Sequence, residues 1–397
     1  MRTLEQIRAV SSISLRGLPQ RIAPSLVVVI GIAGVVAVLL SVLALSTGLA
    51  GALTSTGRPD RALILHAQSS DEGSSTLTDD TIPTILDAPG IARARDGRPL
   101  ASAEILATVN VPRADNGQLG QLTLRGVSAE AFELRPELQL VQGRMFRSGV
   151  RELLAGRAAQ AHYRGLAVGS HVLFDNNDWL VVGAFDSGGG AHDSELLADA
   201  TTVQSVYQRT VYNSVTVKLA ADPKALDTLR ATLTKDPTLS VIVNRETAYY
   251  EQQSKSFAAI LALIANVIGI IMAVGAIFAA LNTMYSAVSA RTVEIATLRA
   301  IGFGPLAVVV SVIIEALLLA LVGALVGAAL AWAFFDGNTV STISGGGGLA
   351  QVVFHLHISR ALIVLGIIWA CIVGFIGGLA PAVRAARIPV VMALRAI

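Results

Sequence analysis

Hydrophobic residues follow two regimes along this chain. In four windows they are nearly continuous, and between the first and second windows they alternate with polar residues at short period. A helix that crosses the hydrocarbon core of a bilayer needs about 20 mostly apolar residues. The windows 25–49, 256–286, 305–335 and 361–380 satisfy this and predict four transmembrane helices. The first ends in GLAGA, similar to a small-residue signal cleavage site. Its apolar stretch of about 24 residues exceeds the 7–15 of a signal peptide, so it reads as an uncleaved anchor.

Charge orients these spans. Segments 1–24, 287–304 and 381–397 together hold nine basic residues against two acidic ones, whereas the loop 336–360 has only Asp336 and, next to the fourth span, Arg360. The long segment 50–255 has 20 basic and 24 acidic residues. Basic loops stay in the cytoplasm, which places 1–24, 287–304 and 381–397 there, with 50–255 and the outer loop 336–360 on the other side. Both termini are therefore expected in the cytoplasm, and the large domain outside the membrane.

Within 50–255, alternating stretches such as RALILHAQ, AEILATVNV, GQLTLRGV and NSVTVKLA read as strands. Stretches such as RELLAGRAAQAHYRG and DPKALDTLRATLTK read as helices. The fold class that follows is a membrane protein of four transmembrane helices, with a large α+β extracytoplasmic domain of two subdomains between helices 1 and 2. NRETAYYEQQSKSF, just before the second span, has no helix breaker and suits a stalk, as does the chain beyond Leu49.

Composition agrees with a membrane protein. The chain of 397 residues is 53% apolar and 15% charged, with a mean hydropathy of +0.62; soluble domains carry about a quarter charged residues. Cys371 is the single cysteine, so no intrachain disulfide stabilises the outer domain.

Catalytic chemistry is missing. None of Lys218, Lys224, Lys235 or Lys255 follows a glycine, which excludes a P-loop. The six histidines show no metal-binding spacing; His355 and His357, two apart, lack a third ligand. DSGGGAHDSE (186–195) matches neither a nucleophile elbow nor an EF-hand and reads as a polar loop, and SGGGG at 344–348 as a linker. The chain is expected to be no enzyme, to hold no metal or cofactor, and to bind lipid but no nucleic acid.

Two intramembrane features stand out. Glu315, in SVIIEALLLALVGALVG, is an acid at membrane depth, and such residues face protein or water. The readings are a structural role, as partner of Arg299 or in packing against another helix, or a part in proton or substrate coupling. Gly323 with Gly327, and Gly374 with Gly378, form two G-x-x-x-G steps that let helix backbones approach closely. They are expected to pack spans three and four together within one chain, rather than to form a dimer interface.

Between spans two and three lies SAVSARTVEIATLRAIGFGP. From Ala287 to Ile301 it contains no proline or glycine, and Val288, Arg291, Glu294, Ile295, Leu298 and Ile301 follow helical spacing. Gly302 and Gly304 suit the helix end and Pro305 the start of the next. A short cytoplasmic helix over 287–304 is predicted, with a purely topological basic loop as the alternative.

ARTVEIATLRAIGFGPLAVVVSVIIEALLLALVGALVGAALA and the tail APAVRAARIPVVMALR resemble the MacB/FtsX-type (type VII) permeases of ABC transporters. LQLVQGRMF and GLAVGSHVLFDNNDWLVVGAF are similar to pieces of the MacB-type periplasmic core. The resemblance covers nearly the whole chain, without the ATPase domain fused in MacB itself, and so implies a separate permease subunit of the bacterial inner membrane with its large domain in the periplasm. It implies that 287–304 is the coupling helix docking into a cytosolic ABC ATPase, with Arg291, Glu294, Ile295, Leu298, Arg299 and Gly302 as contact residues. ATP and Mg²⁺ would be used by that partner. A second copy or a paralogue would complete the permease pair, and movement of the periplasmic domain would serve tripartite efflux with a periplasmic adaptor and an outer-membrane duct. The alternatives are lipoprotein release (LolCDE type), control of cell-wall hydrolases (FtsX type), and a membrane-anchored sensor or binding module without an ATPase.

Overall fold

A computed structural model describes residues 6–8, 10–12, 22–236, 238–341 and 353–389. Most of segment 1–24, the SGGGG linker and the last eight residues of the tail lie outside the described residues. The chain forms two compact units, one of residues 48–258 with 339–355, the other of 1–47, 259–338 and 356–397.

The first unit is built on a ten-stranded sheet. In chain order its elements are β1 (Arg61–His66), β2 (Leu77–Thr78), α2 (Thr81–Leu86), β3 (Ala101–Pro112), β4 (Leu119–Val127), α3 (Ala131–Leu134), β5 (Gln139–Gly143), β6 (Glu152–Gly156), α4 (Arg157–His162), β7 (His171–Phe174), β8 (Asn177–Asp186), β9 (Glu195–Asp199), α5 (Ala200–Tyr207), β10 (Val211–Tyr212), β11 (Ser214–Lys218), α6 (Ala225–Lys235) and β12 (Val241–Arg245). The strand order is β12-β1-β11-β3-β4-β9-β6-β8-β5, with β7 paired to β8 and the short β2 and β10 paired separately.

The long strand β3 belongs to two lobes. Its first residues pair with β11, Ser102 opposite Thr216, and from Ile105 onward it pairs with β4. At the changeover the Asn213 side chain takes over the ladder, accepting from the Leu106 N–H at 2.7 Å while the Asn213 N–H donates to the Glu104 carbonyl. Each lobe has its own core. Ile64, Ile85, Val215, Leu229 and Val243 pack in one; Ile105, Val109, Leu124, Trp179, Leu196 and Val203 pack in the other.

The second unit contains four helices long and apolar enough to cross a membrane. They belong to α1 (Ile22–Thr56), α7 (Glu246–Ala290), α9 (Pro305–Phe335) and α10 (Arg360–Ala386). Between α7 and α9 lies the short α8 (Thr292–Ala300). Helix α1 runs past Leu49 without interruption, and α7 begins well before Phe257, so both apolar segments are continuous with polar helical extensions. α7 also continues through Ala290, which confines the helix expected over 287–304 to Thr292–Ala300.

Small residues set the helix contacts and their directions. A Cβ on Gly323 or Gly327 would meet Val29, Ile32, Ala33 and Val36, so α1 and α9 run parallel. Gly374 and Gly378 lie against Ala320 and Ala316, making α10 antiparallel to α9, and Gly377 lies against Ala280 of α7. Gly374 and Gly378 thus face span three, whereas the expected contact of Gly323 and Gly327 with span four is replaced by another. Gly323 and Gly327 instead receive span one, because the opposite face of α9 is the one α1 occupies. Large apolar residues of α7, among them Ile260, Leu263, Val267, Ile271 and Phe278, are exposed, as suits a lipid-facing helix.

Candidate functional site

Helix α8 is fixed at both ends by its own backbone. It starts after Arg291, where the chain leaves the helical path at φ −107° and ψ 13°. It ends at Gly302, with φ +104°, in a Schellman turn: the Gly302 N–H donates to the Arg299 carbonyl and the Phe303 N–H to the Leu298 carbonyl. Gly304 then caps α9, whose first residue is Pro305. The Gln6 side chain braces this turn, its Oε1 accepting from the Gly304 N–H at 3.3 Å. No spacing rule pointed to Gln6, whose partners lie about 300 residues away in the chain.

The inward side of α8 is held by apolar packing and one ion pair. Ile295 packs with Met284, Val288, Val308, Val312, Ala382 and Ala385. Arg291 Nη1 lies 3.2 Å from Glu315 Oε2, and the guanidinium is 3.9 Å from Glu294. Both Arg291 and Glu315 are largely buried, and a cavity of about 30 Å³ beside them is lined by Ser311, Leu298 and Val10. Glu315 therefore pairs with Arg291. The pairing expected with Arg299 is not formed, because Arg299 reaches the Ile388 carbonyl instead, at 2.6 Å. Arg384 lies 5.3 Å over the Tyr285 ring on α7.

Solvent meets a different set of residues. Val293, Glu294, Thr297, Ala300 and Ile301 are exposed, Ile301 by 68%. Of the six residues carried over from the resemblance, Glu294 and Gly302 are on this outer side. Leu298 is half-buried, while Arg291, Ile295 and Arg299 turn toward the helix bundle. The chain break at Arg291 restarts the helical phase and rotates the outer face onto Val293, Thr297 and Ile301.

The β-rich unit contains a feature that sequence reading missed. Arg125 on β4, 2% exposed, sits among three carboxylates: Glu104 and Glu195 at 2.8 Å and Glu72 at 3.1 Å. Arg135 also pairs with Glu104, at 2.5 Å, and donates to Thr216. His192 Nδ1 lies 2.8 Å from Glu195. The cluster lies where β3 changes lobes. Burial alone would raise the Glu104 pKa, but the Arg135 and Arg125 guanidiniums outweigh it and hold it down to about 2. Burial, Arg125 and His192 act on Glu195 in the same balance and leave it far below the usual range. Tyr250 at the base of α7 is pushed up by burial and by the nearby Glu72. Among the described residues no group of three or more His, Cys, Asp or Glu side chains is placed to hold a metal ion.

Comparison with known proteins assigns both units. Residues 25–236 match the MacB-like periplasmic core domain, and residues 266–390 match the FtsX-like permease C-terminal domain. Curated proteins gave no match. Among solved structures, the periplasmic region of MacB from Actinobacillus actinomycetemcomitans is 14% identical, with a TM-score of 0.39 over 50% of this chain and 94% of that one. The extracellular domain of the noncanonic ABC-type transporter YknZ from Gram-positive bacteria is 14% identical, with a TM-score of 0.36 over 46% of this chain and 99% of that one. A domain of a putative permease protein from Porphyromonas gingivalis, also 14% identical, gives 0.29 over 46% of this chain and 85% of that one. With the first domain alone spanning more than half of its length, the chain belongs to the MacB/FtsX-type permeases of ABC transporters, membrane proteins that work with an ABC ATPase.

Proposed function

We propose that this chain is a permease subunit through which ATP binding and hydrolysis in a cytosolic ABC ATPase move a periplasmic domain, in the service of tripartite efflux. The observation that carries this reading is the mounting of α8. Its inner side is bolted to α9 by the Arg291–Glu315 pair and by Ile295, while its outer side presents Val293, Glu294, Thr297 and Ile301. A short helix held this way moves with α9 when a partner pushes on it. ATP and Mg²⁺ belong to the partner. Two copies of the permease, or this chain and a paralogue, receive the two ATPases, and an adaptor extends the pathway toward an outer-membrane duct. The match to the MacB-like periplasmic core supports the permease reading, and the identity of the co-purifying partner decides between efflux and lipoprotein release.

Affinity purification of the tagged chain from its native membrane, with identification of the co-purifying chains, tests the proposal. An ABC ATPase lost from an Ile301→Glu variant that still inserts supports it, and a co-purifying membrane-fusion adaptor supports efflux. Equal ATPase capture by Ile301→Glu and the parent chain sinks the docking assignment. A lipoprotein chaperone in place of the adaptor turns the function toward lipoprotein release.

A further inference from the structure

The polar extensions of α1 and α7 end in the β-rich unit at a single knot of side chains. Arg61, on β1 just after α1, is 1% exposed. Its Nε donates to Glu246 Oε2 at 2.7 Å, Nη1 to the Leu134 carbonyl at 3.2 Å, and Nη2 to the Thr56 carbonyl at 3.3 Å, with Glu137 2.6 Å from Nη2. Thr56 is the last residue of α1 and Glu246 the first of α7. One guanidinium thus holds the end of one helix, the start of the other, and the segment that follows α3.

Four further contacts close the same knot. Glu246, itself 1% exposed, also accepts the Arg58 N–H at 2.9 Å, in the first turn of α7, where the helix dipole favours a carboxylate. The Arg245 guanidinium donates to the Pro59 carbonyl. Gly57 lies so close that a Cβ there would be 2.8 Å from the Thr247 Cα, so the backbones of the two helix ends touch. Thr56 Oγ1 accepts from the Ala191 N–H at 2.8 Å, which ties in the 187–194 loop. Several hydrogen bonds converge on two charges that are both out of water, so partial opening leaves a buried charge unpaired and is strongly opposed.

We propose that Arg61 and Glu246 are positioning residues that lock the outer ends of α1 and α7 to the β-domain as one rigid joint, so that a displacement carried by either helix reaches the domain undivided. The inference rests on the proposed function for its purpose, but the joint is a property of this chain alone and is tested without an ATPase.

The test is distance measurement by electron paramagnetic resonance in lipid nanodiscs, on a Cys371→Ala background. One spin-label pair sits at Thr54 and Gln252, both exposed, and reports the joint; a second at Gln118 and Thr232, also exposed, reports the β-domain. The parent chain should give a narrow Thr54–Gln252 distribution. Glu246→Gln keeps the shape and removes the charge, Arg61→Lys removes the fork, and Gly57→Ala forces the helix ends apart. Each should broaden the joint distance roughly twofold, as expected of a lost buried ion pair or close contact, while the Gln118–Thr232 distance stays narrow. The proposal is overturned if Glu246→Gln and Arg61→Lys leave the joint distance as narrow as in the parent. It is equally overturned if both label pairs broaden together, since the residues then stabilise the domain without acting as a joint.

Discussion

Arg291 and Glu315 meet at 3.2 Å beneath α8, one side chain at the turn after α7 and the other in the third turn of α9, both with little access to solvent. This ion pair joins the short helix to the span behind it. Removing one member of a buried pair leaves the other charge uncompensated, at a cost of about 3–5 kcal/mol. Glu315→Leu should therefore lower the thermal stability of the detergent-purified chain, and Arg291→Leu/Glu315→Leu should recover most of the loss. If the double variant melts lower than both single variants, the pair is not the dominant interaction there.

The two sides of α8 should respond differently to substitution. Val293→Asp and Ile301→Glu change exposed positions and should leave folding intact, while weakening ATPase binding by about tenfold or more, or about 1.4 kcal/mol. Ile295→Ala opens the buried side and should cost about 2–5 kcal/mol of stability. Binding titrations and thermal melts of the same three variants separate these effects. Equal loss of binding in all three, with equal melting temperatures, would mean that α8 docks through its inner side.

Acid should destabilise the β-domain through the Arg125 cluster. Glu104 has its pKa lowered from 4.5 to about 2 in the folded state, and Glu195 is lowered further. A carboxylate with a depressed folded pKa contributes stability that is complete above its unfolded pKa. That contribution is lost as pH falls through the folded value. The window is therefore from about pH 4.5 down to about pH 2, with no change expected from these groups at neutral pH. Glu104→Gln should be less stable at pH 7 and show a shallower decline below pH 4.5 than the parent chain, as followed by near-ultraviolet circular dichroism.

Glycines in the spans fall into two classes that a substitution series should separate. A Cβ on Gly327 would be 2.5 Å from the Ala33 carbonyl oxygen, and one on Gly374 would be 2.5 Å from the Ala320 Cβ, whereas Gly269 and Gly275 have nothing within 4 Å. Gly327→Ala and Gly374→Ala should destabilise helix packing by about 1–3 kcal/mol. Gly269→Ala should be neutral or stabilising by up to about 1 kcal/mol, because it removes backbone entropy from the unfolded chain. Unfolding by denaturing detergent reads both.

The four spans were legible because hydropathy over about 20 residues is a property of composition and needs no knowledge of partners. The two lobes were visible as strand and helix patterns, but the changeover at Glu104–Leu106 was not, since both halves of β3 alternate alike. On α8 the helical wheel drawn from Ala287 assumed one uninterrupted helix. The turn at Arg291 restarts the phase, so Ile295 falls inside and Ile301 outside. Small residues at Gly323 and Gly327 announced a close helix approach without naming the helix that makes it. The Arg125 cluster escaped because alternation assigns the polar phase of a strand to water. Here Ser102, Glu104 and Thr216 occupy that phase and are fully buried, covered by the segments that carry Glu72 and Arg135. A charge in a strand whose apolar neighbours are also buried is the signal to look for.

Strand β3 also restricts how this domain varies in sequence. Loops at the ends of either lobe can lengthen without disturbing a core. A single inserted residue within Ala101–Pro112 would exchange the inward and outward side chains of one lobe relative to the other, because the side-chain period of a strand is two. It would also separate Glu104 from either Arg125 or Arg135. The length of this one strand is therefore a register shared by both lobes, and homologous domains are expected to accept insertions almost anywhere else first.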